Sequence, residues 1–161
     1  MEILLDTANM KDIKRTLEYY PIDGFTTNPS ILAETEGNIA SVLAEFKSIL
    51  RPEQTMHVQT TAKKAEEMVK QAKILTEYFG SNLHTKIPMT NEGIKAVRMA
   101  KAKGLKVTVT AVFTAIQALL AAKAGADYIA PYVNRIDNIS GNGTAVVCDC
   151  IRILKNYNYP S

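Results

Sequence analysis

Leu83-His84-Thr85-Lys86-Ile87-Pro88-Met89 is a short, mainly apolar run with one lysine near its C-terminal end and a proline two residues further on. Runs of this length, closed by proline, read as a buried parallel strand. Lys86 then leaves the sheet at the edge where loops begin, which is where barrels and open α/β sheets carry catalytic residues. Partial desolvation there disfavours an ammonium group and lowers its pKa towards a nucleophilic free amine. A lone strand-end lysine more often snorkels to water. The weight therefore falls on what the other strands bring to the same level.

Outward from this run, the strand signal recurs at residues 3–7, 24–28, 56–60, 106–111 and 127–132. Helical patterns lie between and after them. Residues 11–20 place Ile13 and Leu17 on one face, and residues 30–50 are helical with a break near Glu36-Gly37-Asn38. Residues 62–79 space Ala65, Met68, Ala72, Leu75 and Phe79 three or four apart, with Gly80 as the stop. Residues 91–103, 114–124 and 143–156 complete the set, the first two closed by Gly104 and Gly125. Strands alternating with helices at roughly 20 to 30 residues per repeat argue for a parallel α/β sheet, leaving a doubly wound sheet and a barrel both open. Period-2 parity goes further, because residues two apart on a strand share a face. Counting back from the strand ends yields Asp6, Thr26 with Asn28, Gln59, Lys86, Thr110 and Tyr132, one or two polar groups per strand. One polar ring over a filled interior is the mouth of a barrel.

The 161 residues, 47% of them apolar, suit a single domain spanning 1–161. A formal charge of +3, from 19 basic and 16 acidic residues without a basic stripe, gives no reason to expect nucleic acid. The longest apolar run, residues 111–122, is interrupted by Thr114 and Gln117 and is too short for a bilayer. Without a signal-peptide pattern, the expectation is a cytosolic protein with no membrane partner. Cys148 and Cys150, two apart on a helix, point in different directions and suggest neither a mutual disulfide nor a metal pair. His57 and His84 each read as isolated, with no HExxH or CxxC beside them, so no metal or other cofactor is expected.

A carboxylate, a lysine, amides, hydroxyls and a phenol suit carbonyl chemistry through a Schiff base. Lys86 would attack a ketone, and the imine would act as an electron sink when the neighbouring carbon–carbon bond breaks. Asp6 would move a proton at the substrate hydroxyls, or simply form a salt bridge to Lys86. Gln59 and Thr110 would position a water, or serve only as polar filler. Tyr132 would be the acid or base at the cleaved hydroxyl, against the commoner role of a tyrosine hydrogen-bonding its tip. Arg135 is placed for a substrate phosphate, although a surface arginine is the ordinary case. Gly141-Asn142-Gly143-Thr144 opens the last helix, where an anion could bind but a turn and cap is commoner.

Four blocks carry a resemblance: Leu5-Asp6-Thr7, Gly24-Phe25-Thr26-Thr27-Asn28-Pro29-Ser30, Lys86-Ile87-Pro88-Met89-Thr90 and Ala130-Pro131-Tyr132-Val133-Asn134-Arg135-Ile136-Asp137. In this order and spacing they closely resemble the small transaldolase and fructose-6-phosphate aldolase family, over essentially the whole chain. The resemblance implies a TIM (β/α)8 barrel with a Schiff-base lysine at Lys86 and a proton-transfer role for Asp6. It also implies that Thr26 and Asn28 hold the donor, that Arg135 contacts phosphate, and that the protein is a homo-oligomer acting on sugar phosphates or dihydroxyacetone. Transaldolases are similar to one another in carrying Glu at the position of Gln59 and Phe at that of Tyr132, whereas the aldolase members carry Gln and Tyr. The implied reaction is reversible cleavage of fructose 6-phosphate to dihydroxyacetone and glyceraldehyde 3-phosphate, with transaldolase as the alternative.

Only six of the eight βα units of such a barrel are accounted for. A fragment or truncated product is expected, rather than a naturally short chain that seals its open edges by association. An inactive truncated relative, acting as an assembly partner of a full barrel, would form no adduct at Lys86. A flavodoxin-like ligand-binding domain fits the length, but Asp6-Thr7-Ala8-Asn9 lacks the glycine of a phosphate-cradling first loop.

Overall fold

In the computed structural model, which describes residues 2–35 and 38–161, the described residues form six parallel strands. These are β1 (Leu4–Asp6), β2 (Gly24–Thr26), β3 (Thr55–Gln59), β4 (Leu83–Pro88), β5 (Val107–Val112) and β6 (Tyr128–Pro131). Their spatial order is their chain order, each strand pairing with its sequence neighbours. A doubly wound sheet reverses its order at a switch point; this one does not, and it curls into an arc of a β/α barrel. The helices are α1 (Met10–Tyr19), α2 (Pro29–Ala33), α3 (Ile39–Ile49), α4 (Ala65–Phe79), α5 (Asn91–Lys101), α6 (Ala115–Ala124), α7 (Val133–Asp137) and α8 (Gly143–Asn156). None of the described helices is long and apolar enough to cross a membrane.

Short polar side chains set where most helices begin. Asn9, Asn28, Asn38, Thr90, Thr114 and Asn142 each accept a hydrogen bond from a first-turn backbone N–H, satisfying a donor with no partner inside the helix. The region expected to be one interrupted helix is therefore two, α2 and α3. Of the expected break, Glu36 and Gly37 lie outside the described residues, and Asn38 is the cap of α3. Helix α4 starts at Ala65 rather than at residue 62, because the Thr61 and Ala62 N–H groups donate to Gln71 Oε1 at 3.0 and 3.2 Å instead of entering the helix. The five-residue α7 and a single 3-10 turn, Gly80–Asn82, have no periodic signal to reveal them.

Two apolar clusters fill the space between the outer face of the sheet and the helices. Phe25, Met56, Val58 and Leu83 meet Ile13, Val42, Phe46 and Phe79, with the Phe25 and Phe46 rings tilted at 5.6 Å. Ile87, Val107 and Val109 meet Met68, Val69 and Val97 along with Ala65, Ala72, Ala96, Ala100, Ala118 and Ala121, small residues that let the helices sit close to the strands. What remains for the inner face is mostly polar, with Leu4 and Ala130 as its apolar members. A β-bulge between Thr110 and Val112 interrupts the parity, with Ala111 at φ 59° and Val112 turned into the outer core.

Helix α5 lies against the end of β4 at Gly93, where a Cβ would collide with the carbonyl oxygen of Pro88. Gly93→Ala must push the helix off the strand that carries Lys86. The expected loss is at least about 2 kcal/mol, read as a lower urea midpoint at an unchanged slope.

Candidate active site

Every residue of β4 from Leu83 to Ile87 is buried, and Lys86 is only 6% exposed. It does not snorkel. Its Nζ donates to Thr26 Oγ1 at 2.7 Å and to the Thr27 carbonyl at 2.8 Å, both on the β2 side of the arc. Burial lowers its pKa below the usual lysine value, and the negative charge of Asp6 opposes that only in part. A neutral amine has two N–H bonds and one lone pair. With both hydrogens placed on acceptors, the lone pair is left for an electrophile.

The other expected residues arrange themselves around this amine at different ranges. Asp6 ends β1, is exposed and acts on Lys86 through its field; no ion pair joins the two among the described residues, so the salt-bridge role does not hold. Gln59 stands directly across from Lys86 in the β3–β4 ladder, and its Oε1 is buried without a partner. Thr110, buried, stands across from Pro88 one step nearer the strand ends. Asn28 uses Oδ1 to cap α2, accepting from Ile31 N at 3.0 Å. Tyr132 lies just past β6 as the residue preceding α7, with Phe113 edge-on at 5.4 Å and the exposed Arg135 guanidinium 4.6 Å from its ring centre. Lys86, Thr26, Gln59 and Asp6 thus gather on four adjacent strands, while Tyr132 and Arg135 stand together at the rim without a hydrogen bond to Lys86.

A family model described as Transaldolase/Fructose-6-phosphate aldolase matches residues 3–161. The chain belongs to this family. It is 43% identical to a protein of Lactiplantibacillus plantarum named "Probable transaldolase", over 99% of this chain and 72% of the relative. Proteins of the same name from Aquifex aeolicus and Kosmotoga olearia are 40% and 42% identical, again over 99% of this chain and 72% of theirs. Membership makes the chain a member of an enzyme family built on the barrel whose arc is seen here.

The start of α8 follows the commoner reading of its sequence, a turn and cap, whereas the histidines depart from theirs. The N-terminus of α8 already holds an anion of its own, since Gly143 N donates to Asp137 Oδ1 at 2.7 Å and Ala145 N to Asn142 Oδ1 at 2.9 Å. It is a cap, and no external anion is needed there. The histidines, in contrast, are not isolated. Strand pairing sets His57 opposite His84, and their rings stack at 4.9 Å, with Tyr128 edge-on to both at 5.0 and 4.8 Å. Parity held the clue, because His57 lies two residues before Gln59 and His84 two before Lys86. Cys148 is exposed and Cys150 buried, on different sides of α8, and both are free.

Proposed function

We propose that the chain is a class I aldolase that reversibly cleaves fructose 6-phosphate to dihydroxyacetone and glyceraldehyde 3-phosphate through an imine on Lys86. The observation that carries this reading is the buried Lys86 amine, desolvated and with both of its amine hydrogens engaged by Thr26 and Thr27. The lone pair adds to the C2 ketone, and loss of water leaves a protonated imine. Breakage of the C3–C4 bond sends its electron pair into that imine as an enamine, while the C4 hydroxyl gives up its proton and leaves as the aldehyde. Protonation of the enamine at C3 and addition of water then release dihydroxyacetone and the amine.

In this assignment Tyr132 takes the C4 hydroxyl proton and Asp6 serves the remaining proton transfers. Gln59, with its free Oε1, and Thr110 hold the water that leaves and returns. Thr26 and Asn28 hold the dihydroxyacetone portion, and Arg135 holds the phosphate, its guanidinium kept in place by the Tyr132 ring. No cofactor enters any step. We include self-association in the proposal, since Ile116, Leu120 and Ile151 expose apolar side chains on α6 and α8.

Transaldolase is the second reading, favoured by the names of the relatives. There the enamine is captured by the aldehyde of another sugar phosphate instead of by a proton. An assay of glyceraldehyde 3-phosphate release from fructose 6-phosphate, with and without an aldose phosphate acceptor, separates the two. Release independent of acceptor is expected. Release that requires acceptor assigns transaldolase, and no release in either case leaves an inactive relative.

A further inference from the structure

The residues beneath Lys86 take no part in the steps just described. On β4 the inward residue one layer below Lys86 is His84, and across the ladder the one below Gln59 is His57. Both imidazoles are buried, at 5% and 1% exposure, and Tyr128 closes over them edge-on from β6. His57 Nδ1 is 2.7 Å from Thr108 Oγ1, and Thr108 is the ladder partner of Lys86 on β5; His57 Nε2 is 3.2 Å from Thr55 Oγ1. A neutral imidazole has one donor and one acceptor nitrogen, and two hydroxyls satisfy both without any charge. The backbone of the same residue also supports the amine's anchor. His57 O accepts from Thr27 N at 3.0 Å, and the Thr27 carbonyl in turn accepts from Lys86 Nζ.

We propose that His57, His84 and Tyr128 are positioning residues that form a dry floor under Lys86, keeping water from reaching its amine from the N-terminal end of the barrel. This deepens the imine reading and rests on Lys86 being the nucleophile. Removing the His57 ring leaves space lined by the Thr55 and Thr108 hydroxyls, two polar partners with which water can fill it. Water there stabilises an ammonium ion and so reduces the free amine at neutral pH. The groups that also bear on this layer are Asp6 from β1, Lys86 above, Glu2, which accepts from Tyr128 Oη at 2.7 Å, Lys106 ahead of β5, and Asp127, held by Lys101.

The test is the pH dependence of Lys86 acetylation by acetic anhydride, read by peptide mass spectrometry, in the wild type, His57→Ala and His57→Phe. The midpoint is expected to rise by about half to one unit in His57→Ala and to stay put in His57→Phe, whose ring still excludes water. His84→Ala removes the other stacked ring and reads the same shift should His57→Ala fail to fold by circular dichroism. A folded alanine variant with the wild-type midpoint, or a phenylalanine variant that shifts as far as alanine, overturns the floor. Borohydride trapping with dihydroxyacetone on the same samples keeps the two ideas apart. A shifted midpoint without any wild-type adduct leaves the floor standing and removes the imine.

Discussion

Lys86→Met is expected to reduce cleavage of fructose 6-phosphate by at least about 10³-fold, to background, while the protein stays folded. Methionine matches the length of the lysine stem but has no lone pair able to form an imine. Two opposing effects govern stability. The Thr27 carbonyl loses its donor, which costs on the order of 1 kcal/mol, and the desolvation of a buried amine is relieved. They nearly cancel, so the melting temperature should move by only a few degrees. Lys86→Arg should be equally inactive, since guanidinium stays protonated at working pH. Turnover measured beside a melting curve separates loss of chemistry from loss of fold, and a folded Lys86→Met variant that keeps a few per cent of turnover contradicts the assignment.

The second large effect is on stability in acid. Burial, with the neighbouring His84 and Lys86, pushes the His57 pKa from 6.5 down to about 3. In the unfolded chain His57 takes up its proton near pH 6.5, whereas the folded protein refuses it until about pH 3. Above pH 6.5 the ring is neutral in both states and the full stability is present. As pH falls below that value the unfolded state gains a proton the folded state lacks, and stability drains away until about pH 3. Between pH 7 and pH 4 this one ring accounts for a loss of roughly 3 kcal/mol. His84, also lowered chiefly by burial, adds to it in the same direction. Urea titrations of the wild type and His57→Phe at pH 7 and pH 4 read the difference. The variant should lose less stability by about that amount, and equal losses would show that His57 already carries its proton in the folded protein.

The run 83–89 revealed the strand and the edge where the candidate site lies, because apolar content and a closing proline are local signals. The burial of Lys86 was not legible there, since a strand-end lysine more often snorkels to water and only its contacts with Thr26 and Thr27 across the arc hold this one in. The barrel also followed from local information, since six strands each delivered polar groups to one side. What stayed hidden depended on pairing across strands. His57 and His84 are 27 positions apart, and nothing in either neighbourhood announces a stack; only the register that sets Gln59 opposite Lys86 makes it obligatory. The contact of Asp137, the last residue of α7, with the first N–H of α8 was hidden for a similar reason, because it reaches forward over a turn whose geometry the short α7 determines. The bulge at Ala111 was invisible because alanine rarely marks a positive φ.

The proposed reaction requires Lys86 to be a nucleophilic amine that forms an imine with a ketone. Incubation with dihydroxyacetone and borohydride, followed by intact and peptide mass spectrometry, tests it most directly. One reduced adduct on the peptide that contains Lys86, absent from Lys86→Met, is expected. A folded wild-type protein without an adduct, or with one on another lysine, would contradict it.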